Sequence, residues 1–338
     1  MKRNTNKTKT KYFWIINIKP LCVIARVRHC ERSEATRRLF DQREKIQLDT
    51  KMKIAIAAPA RWVTPKDVEF AILWLKALGM EPVFDNRLFA QDFIFAGSDD
   101  FRASIIQEYM DCDDIDAIWF ARGGYGSIRI IDKLDFTKFI KHPKLFVGFS
   151  DTTVFHGMMQ RLGIPSIHGS LAGYLYNKTP ESIQSLYDAL TGKPLHYEWP
   201  THPLNRKGEV HGTMVGGNLS VLYGMMGSNS FPETDGKILF VEEVDEYIYH
   251  IERMMYGLKR AGKLKNLKAL VVGGLTKIQD NPEPFDKSVE QAIFDMVQEY
   301  DYPVVFGFPA GHQPDNRAIV FGKEASIVIT EEKSEFFL

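Results

Sequence analysis

The stretch Leu145-Phe146-Val147-Gly148-Phe149-Ser150-Asp151-Thr152-Thr153-Val154-Phe155-His156-Gly157 decides how this chain is read. An apolar run, Leu145 to Phe149, passes straight into a serine, and a helical pattern follows. Strand, minimal turn and helix in that order make the βα unit of a parallel sheet. A serine at such a corner is lifted from the sheet edge beside the free N–H groups of a helix start. Those N–H groups and the helix dipole suit a developing oxyanion. Ser150 and Asp151 are also good helix caps, so the stretch alone leaves nucleophile and cap both open. It lacks the second glycine of Gly-x-Ser-x-Gly, so it is not an α/β-hydrolase signature.

Outward from this corner the chain alternates. Ile54–Ala58 reads as a first strand. Thr64-Pro65-Lys66-Asp67 is a helix start with Thr at the cap and Pro just inside, and Gly79 ends the helical spacing. Glu81–Phe84 is a short strand, Asp99 to Met110 an amphipathic helix, Ile115–Phe120 a buried strand, and Ser127–Leu134 a helix. Strands alternating with helices imply a parallel sheet covered on both faces, with ligands beyond the carboxyl ends of its strands. Past Gly163 the pattern loosens. Pro180 to Leu190 reads as a helix, and the Pro-containing stretch from Gly192 to Asn205 as a connection. A second region then offers a Gly-rich turn and helix (Gly216 to Leu222), the strand Ile238–Val241, the helix Ile248 to Ala261 and the strand Ala269–Val272. The helix Lys287–Tyr300, the strand Val304–Phe306 and short closing β segments complete it.

The expected class is therefore α/β, with a doubly wound N-terminal domain over 52–175, a linker over 176–208 and a C-terminal domain over 209–338. The length of 338 residues suits two domains. The first 51 residues hold 14 Lys+Arg and 5 Asp+Glu, a net of +9, so the remainder carries 29 and 38, a net of −9. An acidic body argues against nucleic acid as partner. No segment approaches the roughly 20 apolar residues of a membrane span, and Tyr12 to Val27 is too interrupted by Lys19, Pro20 and Arg26 for a good signal peptide. Folding is expected to begin at Met52, with residues 1–51 a disordered extension or the product of too early a start codon. Cys22, Cys30 and Cys112 form neither a disulfide framework nor a zinc site, which fits a reducing compartment.

A serine nucleophile needs a base, and the base needs an orienting acid. His156 lies on the serine's own helix, pointing away from it. His168, His211, His250 and His312 remain. His312 follows a strand end and a Pro-Ala-Gly turn, where site residues of α/β folds sit, but its position alone favours a surface-loop histidine. Glu242 closes the strand Ile238–Val241, while Glu243, Asp245 and Glu246 read as a solvated acidic loop. Arg122-Gly123-Gly124-Tyr125-Gly126 is neither a Walker motif nor Gly-x-Gly-x-x-Gly. It suits a tight turn, a phosphate cradle, or a backbone N–H brought close to a substrate.

Taken together, these segments resemble the LD-carboxypeptidase family of serine peptidases from about Met52 to the C-terminus. The landmarks are Phe95-Ala96-Gly97-Ser98, Ala121 to Gly126, Gly148-Phe149-Ser150-Asp151, His168-Gly169, Gly216-Gly217-Asn218-Leu219, Phe240-Val241-Glu242-Glu243 and Gly311-His312. The resemblance implies a triad of Ser150, Glu242 and His312, with oxyanion donors on the backbone of Asp151 and Gly124. It implies a smaller C-terminal domain of swivelling type, the site in the cleft between the domains, a homodimer and no metal or cofactor. It also implies hydrolysis of the amide between an L-centre diamino acid and terminal D-Ala of murein tetrapeptides, in cytoplasmic cell-wall recycling. Arg122, Tyr125, Asn218 and Arg253 are the substrate-binding candidates. Two alternatives stand beside this reading. One is an immunity-type peptidase acting on aminoacyl-nucleotide amides, with Trp199 as a weak candidate for the base platform. The other is a catalytically silent ligand-binding protein.

Overall fold

The computed structural model describes residues 51–338. The expectations for the N-terminal extension and its processing concern residues outside these. The first sheet is built from β1 (Lys53–Ala57), β2 (Glu81–Val83), β3 (Ala117–Phe120), β4 (Leu145–Gly148) and β5 (Ser166–His168). Its order is 2-1-3-4-5, with every pair among these parallel. Such an order reverses direction between β1 and β3, and a crevice opens there at the carboxyl ends of the strands. Alternation along the strands dresses both faces. Ile54, Ile56, Ala117 and Trp119 pack with the helix Pro65–Ala77 on one face. Ala55, Ala57, Ile118 and Phe120 pack with the helix Asp99–Asp111 on the other. This is a doubly wound α/β arrangement, as expected. The first helix starts where the sequence marks it. Thr64 Oγ1 accepts from the Asp67 N–H at 3.3 Å, and the Asp67 carboxylate accepts from the Thr64 N–H at 2.7 Å.

The second sheet contains β6 (His196–Pro200), β7 (Gly208–Asn218), β8 (Ile238–Val244), β9 (Ala269–Thr276) and β10 (Val304–Val305). β11 (Ile319–Phe321) turns back to pair antiparallel with β5 of the first sheet, while β12 (Glu324–Ile329) and β13 (Lys333–Phe337) join the second. The second sheet runs 10-9-8-7-12-13-6, parallel from β10 to β7 and antiparallel from β7 to β6. Its helices Ile248–Arg260 and Val289–Val297 bury Ile251, Met254, Met255 and Ile293. Each of the two apolar cores draws residues from both sheets.

Three local expectations change. The segment Ser127–Leu134 is not one helix but two 3-10 turns, Ser127–Arg129 and Ile131–Lys133. Gly126 supplies no capping side chain, and the Ser127 N–H is already held by the Asp151 carboxylate, so the segment tightens instead of continuing. The glycines Gly216 and Gly217 lie within β7 rather than in a turn, and the helix begins at Leu219. The connecting stretch holds β6, whose Tyr197 and Trp199 alternate inward while His196, Glu198 and Pro200 face out.

Candidate active site

β4 ends at Gly148, and Phe149 is still extended when the chain turns at Ser150. Ser150 has φ +66°, one of the few non-glycine residues of the described chain in the left-handed region. That conformation costs energy and persists only where the surroundings enforce it. Here they do. The Phe149 ring is held between His168 and His312, with centroids 5.8 and 4.8 Å away. The 3-10 turn Ser150–Thr152 then leads directly into the helix Thr153–Arg161. The Asp151 carboxylate is buried and accepts the Ser127 N–H at 2.9 Å. Burial pushes its pKa up, against the lowering effect of the Ser127 and Gly126 donors and of Arg102. Asp151 therefore fastens the Arg122–Gly126 loop against the serine turn. Gly123 is where they meet: a Cβ there would lie 3.4 Å from the Asp151 side chain and 3.5 Å from Ser150 Cβ. The buried guanidinium of Arg102 closes the same edge, donating to Gly126 O at 3.0 Å, to Gly97 O at 3.2 Å and to Pro59 O.

The second sheet brings the other two groups. β8 carries Glu242 with no exposed surface. Its Oε2 accepts from His312 Nδ1 at 2.7 Å, and its Oε1 has no partner among the described residues. A carboxylate only accepts, so Nδ1 bears the proton and Nε2 presents its lone pair. Nε2 lies 2.9 Å from Ser150 Oγ, whose hydroxyl donates to it. Burial acts to lower the His312 pKa, but the charge and hydrogen bond of Glu242 outweigh it and leave the pKa raised. Gly311, at φ +118°, permits this approach: a Cβ there would stand 2.9 Å from Glu242 Oε2. The His312 loop is pinned beyond it, with Thr276 Oγ1 donating to His312 O at 3.1 Å and the Gly311 N–H donating to Asn316 Oδ1 at 2.7 Å.

The structure thus brings Ser150, Glu242 and His312 together in one hydrogen-bonded line, and sets the Asp151 turn and the Gly123-Gly124 pair beside it. Gly124 is exposed at φ +102°, and its N–H meets no acceptor among the described residues. Other expectations are corrected. Glu243 is not solvated: it is buried, and its carboxylate accepts from Asn218 Nδ2 (2.9 Å), Ser220 N (2.7 Å) and Val244 N (2.9 Å). Burial raises its pKa, and those backbone donors pull the other way. Asn218 caps the helix Leu219–Met225 through Oδ1 and donates to Glu243 through Nδ2, so both ends of its buried amide are occupied. Arg122 donates to Trp62 O at 2.9 Å and lies over the Trp62 ring. Arg253 is exposed and stacks over Tyr249. Tyr125 is exposed beside Phe95. Trp199 is buried and donates to Phe306 O at 3.0 Å, so its ring offers no open face as a platform. His156 does point away, bridging Gly148 O and Ser166 Oγ at 2.9 and 2.8 Å, and burial lowers its pKa to about 4. Sequence reasoning missed Lys178. Its ammonium donates to Gln313 O at 2.8 Å and lies 5.6 Å from the Phe149 ring, at the very wall of the site. Nothing local in Asn177-Lys178-Thr179 signals this, because its partner is 135 residues away.

The comparisons with known proteins bear on the same elements. Residues 54–169 match the LD-carboxypeptidase N-terminal domain, and residues 211–327 the LD-carboxypeptidase C-terminal domain. The chain belongs to the LD-carboxypeptidase family. A probable murein peptide carboxypeptidase of Bacillus subtilis is 31% identical over 285 residues, covering 82% of this chain and 89% of the relative. The murein tetrapeptide carboxypeptidase of Pseudomonas aeruginosa is 29% identical, covering 81% and 92%. The crystal structure of muramoyltetrapeptide carboxypeptidase from Oxalobacter formigenes superposes with a TM-score of 0.77 at 31% identity, covering 85% of this chain and 98% of that one. A peptidase activity is supported for this LD-carboxypeptidase family member. Among the described residues, no helix is long and apolar enough to cross a membrane.

Proposed function

We propose that this protein is a serine-type LD-carboxypeptidase that removes terminal D-Ala from murein tetrapeptides, cutting the amide on an L-centre diamino acid. The observation that carries the reading is the line Glu242 Oε2, His312 Nδ1, His312 Nε2, Ser150 Oγ, at 2.7 and 2.9 Å. His312 takes the Ser150 proton as Oγ bonds to the scissile carbonyl carbon, and the buried Glu242 stabilises the imidazolium that forms. The oxyanion develops against the N–H groups of Asp151 and Gly124. As the C–N bond breaks, His312 gives its proton to the leaving amine. Water then loses a proton to the same ring and attacks the acyl-serine, releasing the tripeptide acid and restoring Ser150. Every proton is accounted for by side chains of the site. We further propose a homodimer acting in the cytoplasm in cell-wall recycling.

The test is a paired incubation followed by mass spectrometry. A murein tetrapeptide ending in D-Ala is expected to yield tripeptide and D-Ala, and an aminoacyl-sulfamoyl adenosine to remain intact. Cleavage of the nucleotide alone would move the activity to the immunity-type peptidases. Cleavage of neither, together with saturable binding, would make the protein a ligand-binding member of the family.

A further inference from the structure

Lys178 is a charge whose presence the fold does not explain. It is half-buried, follows the turn Ala172–Asn177 and precedes Thr179, the cap of the helix Pro180–Leu190. Its ammonium touches both arms of the site: it donates to the carbonyl of Gln313, next to His312, and lies over the ring of Phe149, next to Ser150. It forms no ion pair among the described residues, and Gln313 O takes only one of its three donors. Burial lowers its pKa to about 8, against the raising effect of Glu242. A desolvated ammonium without an anion is unfavourable unless an anion arrives. The other cations considered for that task are engaged elsewhere, Arg122 with Trp62 and Arg253 with Tyr249.

The chemistry says where an anion would arrive. His312 protonates the leaving nitrogen, so the leaving residue lies on the His312 side of the serine. The carboxyl carbon of a terminal residue is two bonds beyond that nitrogen. We propose that Lys178 receives the free terminal carboxylate of the leaving residue, and so restricts the enzyme to carboxypeptidase rather than internal cleavage. This rests on the Ser150–His312 pair being the hydrolytic centre. It names a residue of that centre's specificity rather than of its bond chemistry.

The experiment compares two tetrapeptides, one with a C-terminal acid and one with the C-terminal carboxamide, on wild type, Lys178→Met and Lys178→Arg. Wild type is expected to favour the acid by about 10–100-fold in kcat/KM, the worth of one buried charge-assisted contact. Lys178→Met is expected to lose that preference by slowing the acid while leaving the amide within about threefold. Lys178→Arg is expected to keep most of it. Equal loss on both substrates in Lys178→Met would overturn the proposal, leaving the lysine a brace for the His312 loop. Wild type treating acid and amide alike would overturn it even if the methionine variant does not fold. A wild type that cleaves neither, or an active Ser150→Ala, sinks the hydrolytic reading itself and takes this proposal with it.

Discussion

Replacing Glu242 by Gln removes one charge from a fully buried position while keeping the side chain's shape. Glu242 Oε2 and His312 Nδ1 are 2.7 Å apart, the length of a charge-assisted bond once the ring is protonated. Such a bond is worth about 1.5–3 kcal/mol net. The variant loses it when the imidazolium forms; the amide NH₂ placed where Oε1 finds no partner among the described residues costs about 1–3 kcal/mol in every state and so lowers stability rather than kcat. At about 1.4 kcal/mol per decade, the expected loss in kcat is about 10–10²-fold. A pH signature accompanies it. The free enzyme is active with His312 neutral, so kcat/KM rises with pH through the His312 pKa. In wild type burial lowers that pKa, but Glu242 outweighs burial and raises it above the ordinary histidine value, so the acidic limb is displaced upward. Without the carboxylate, burial prevails and the limb moves to lower pH. Release of D-Ala from the tetrapeptide, measured from pH 5 to 9 with folding checked by thermal melting, decides it. Turnover within about fivefold of wild type, with the acidic limb unmoved, would refute the reasoning.

Two further substitutions probe how the site is held. Gly311→Ala places a Cβ 2.9 Å from Glu242 Oε2 at φ +118°, so kcat is expected to fall at least about tenfold and stability by about 1–3 kcal/mol, read by turnover and urea unfolding. Unchanged values for both would show that the His312 loop is not set by this contact. Asn218→Ala removes the cap of the helix Leu219–Met225 and one donor to the buried Glu243, with an expected loss of about 1–3 kcal/mol in urea unfolding. If instead Asn218→Ala raised KM with unaltered stability, the residue would belong to the substrate after all.

What the sequence made legible was local. The Ser150 corner stands out because an apolar strand meets Ser-Asp-Thr-Thr without a spacer, and the Thr64 start because cap and proline sit together. Glu242 could be placed because the apolar run before it fixes its strand. Glu243 could not: two adjacent acids suggest solvent, and the donors that allow its burial, Asn218 Nδ2 and the Ser220 N–H, lie in another element. The alternation of His196 to Pro200 that makes β6 is masked by the prolines at its borders, Pro194 and Pro200. His312 carries no local signal that separates it from a loop histidine. Only the resemblance to a family singled it out, since its partners lie 70 and 162 residues away. Residues whose role depends on such distant contacts are invisible to periodicity and capping rules, and Lys178 is another.

The claim at the centre of this account is that Ser150 is an activated nucleophile. The most direct measurement is labelling of the native protein with a fluorophosphonate, followed by peptide mapping. The account predicts a single adduct, on the peptide containing Ser150, absent in His312→Ala, and a loss of about 10³-fold or more in kcat for Ser150→Ala with the fold intact. A Ser150→Ala protein that still releases D-Ala at near the wild-type rate would contradict it.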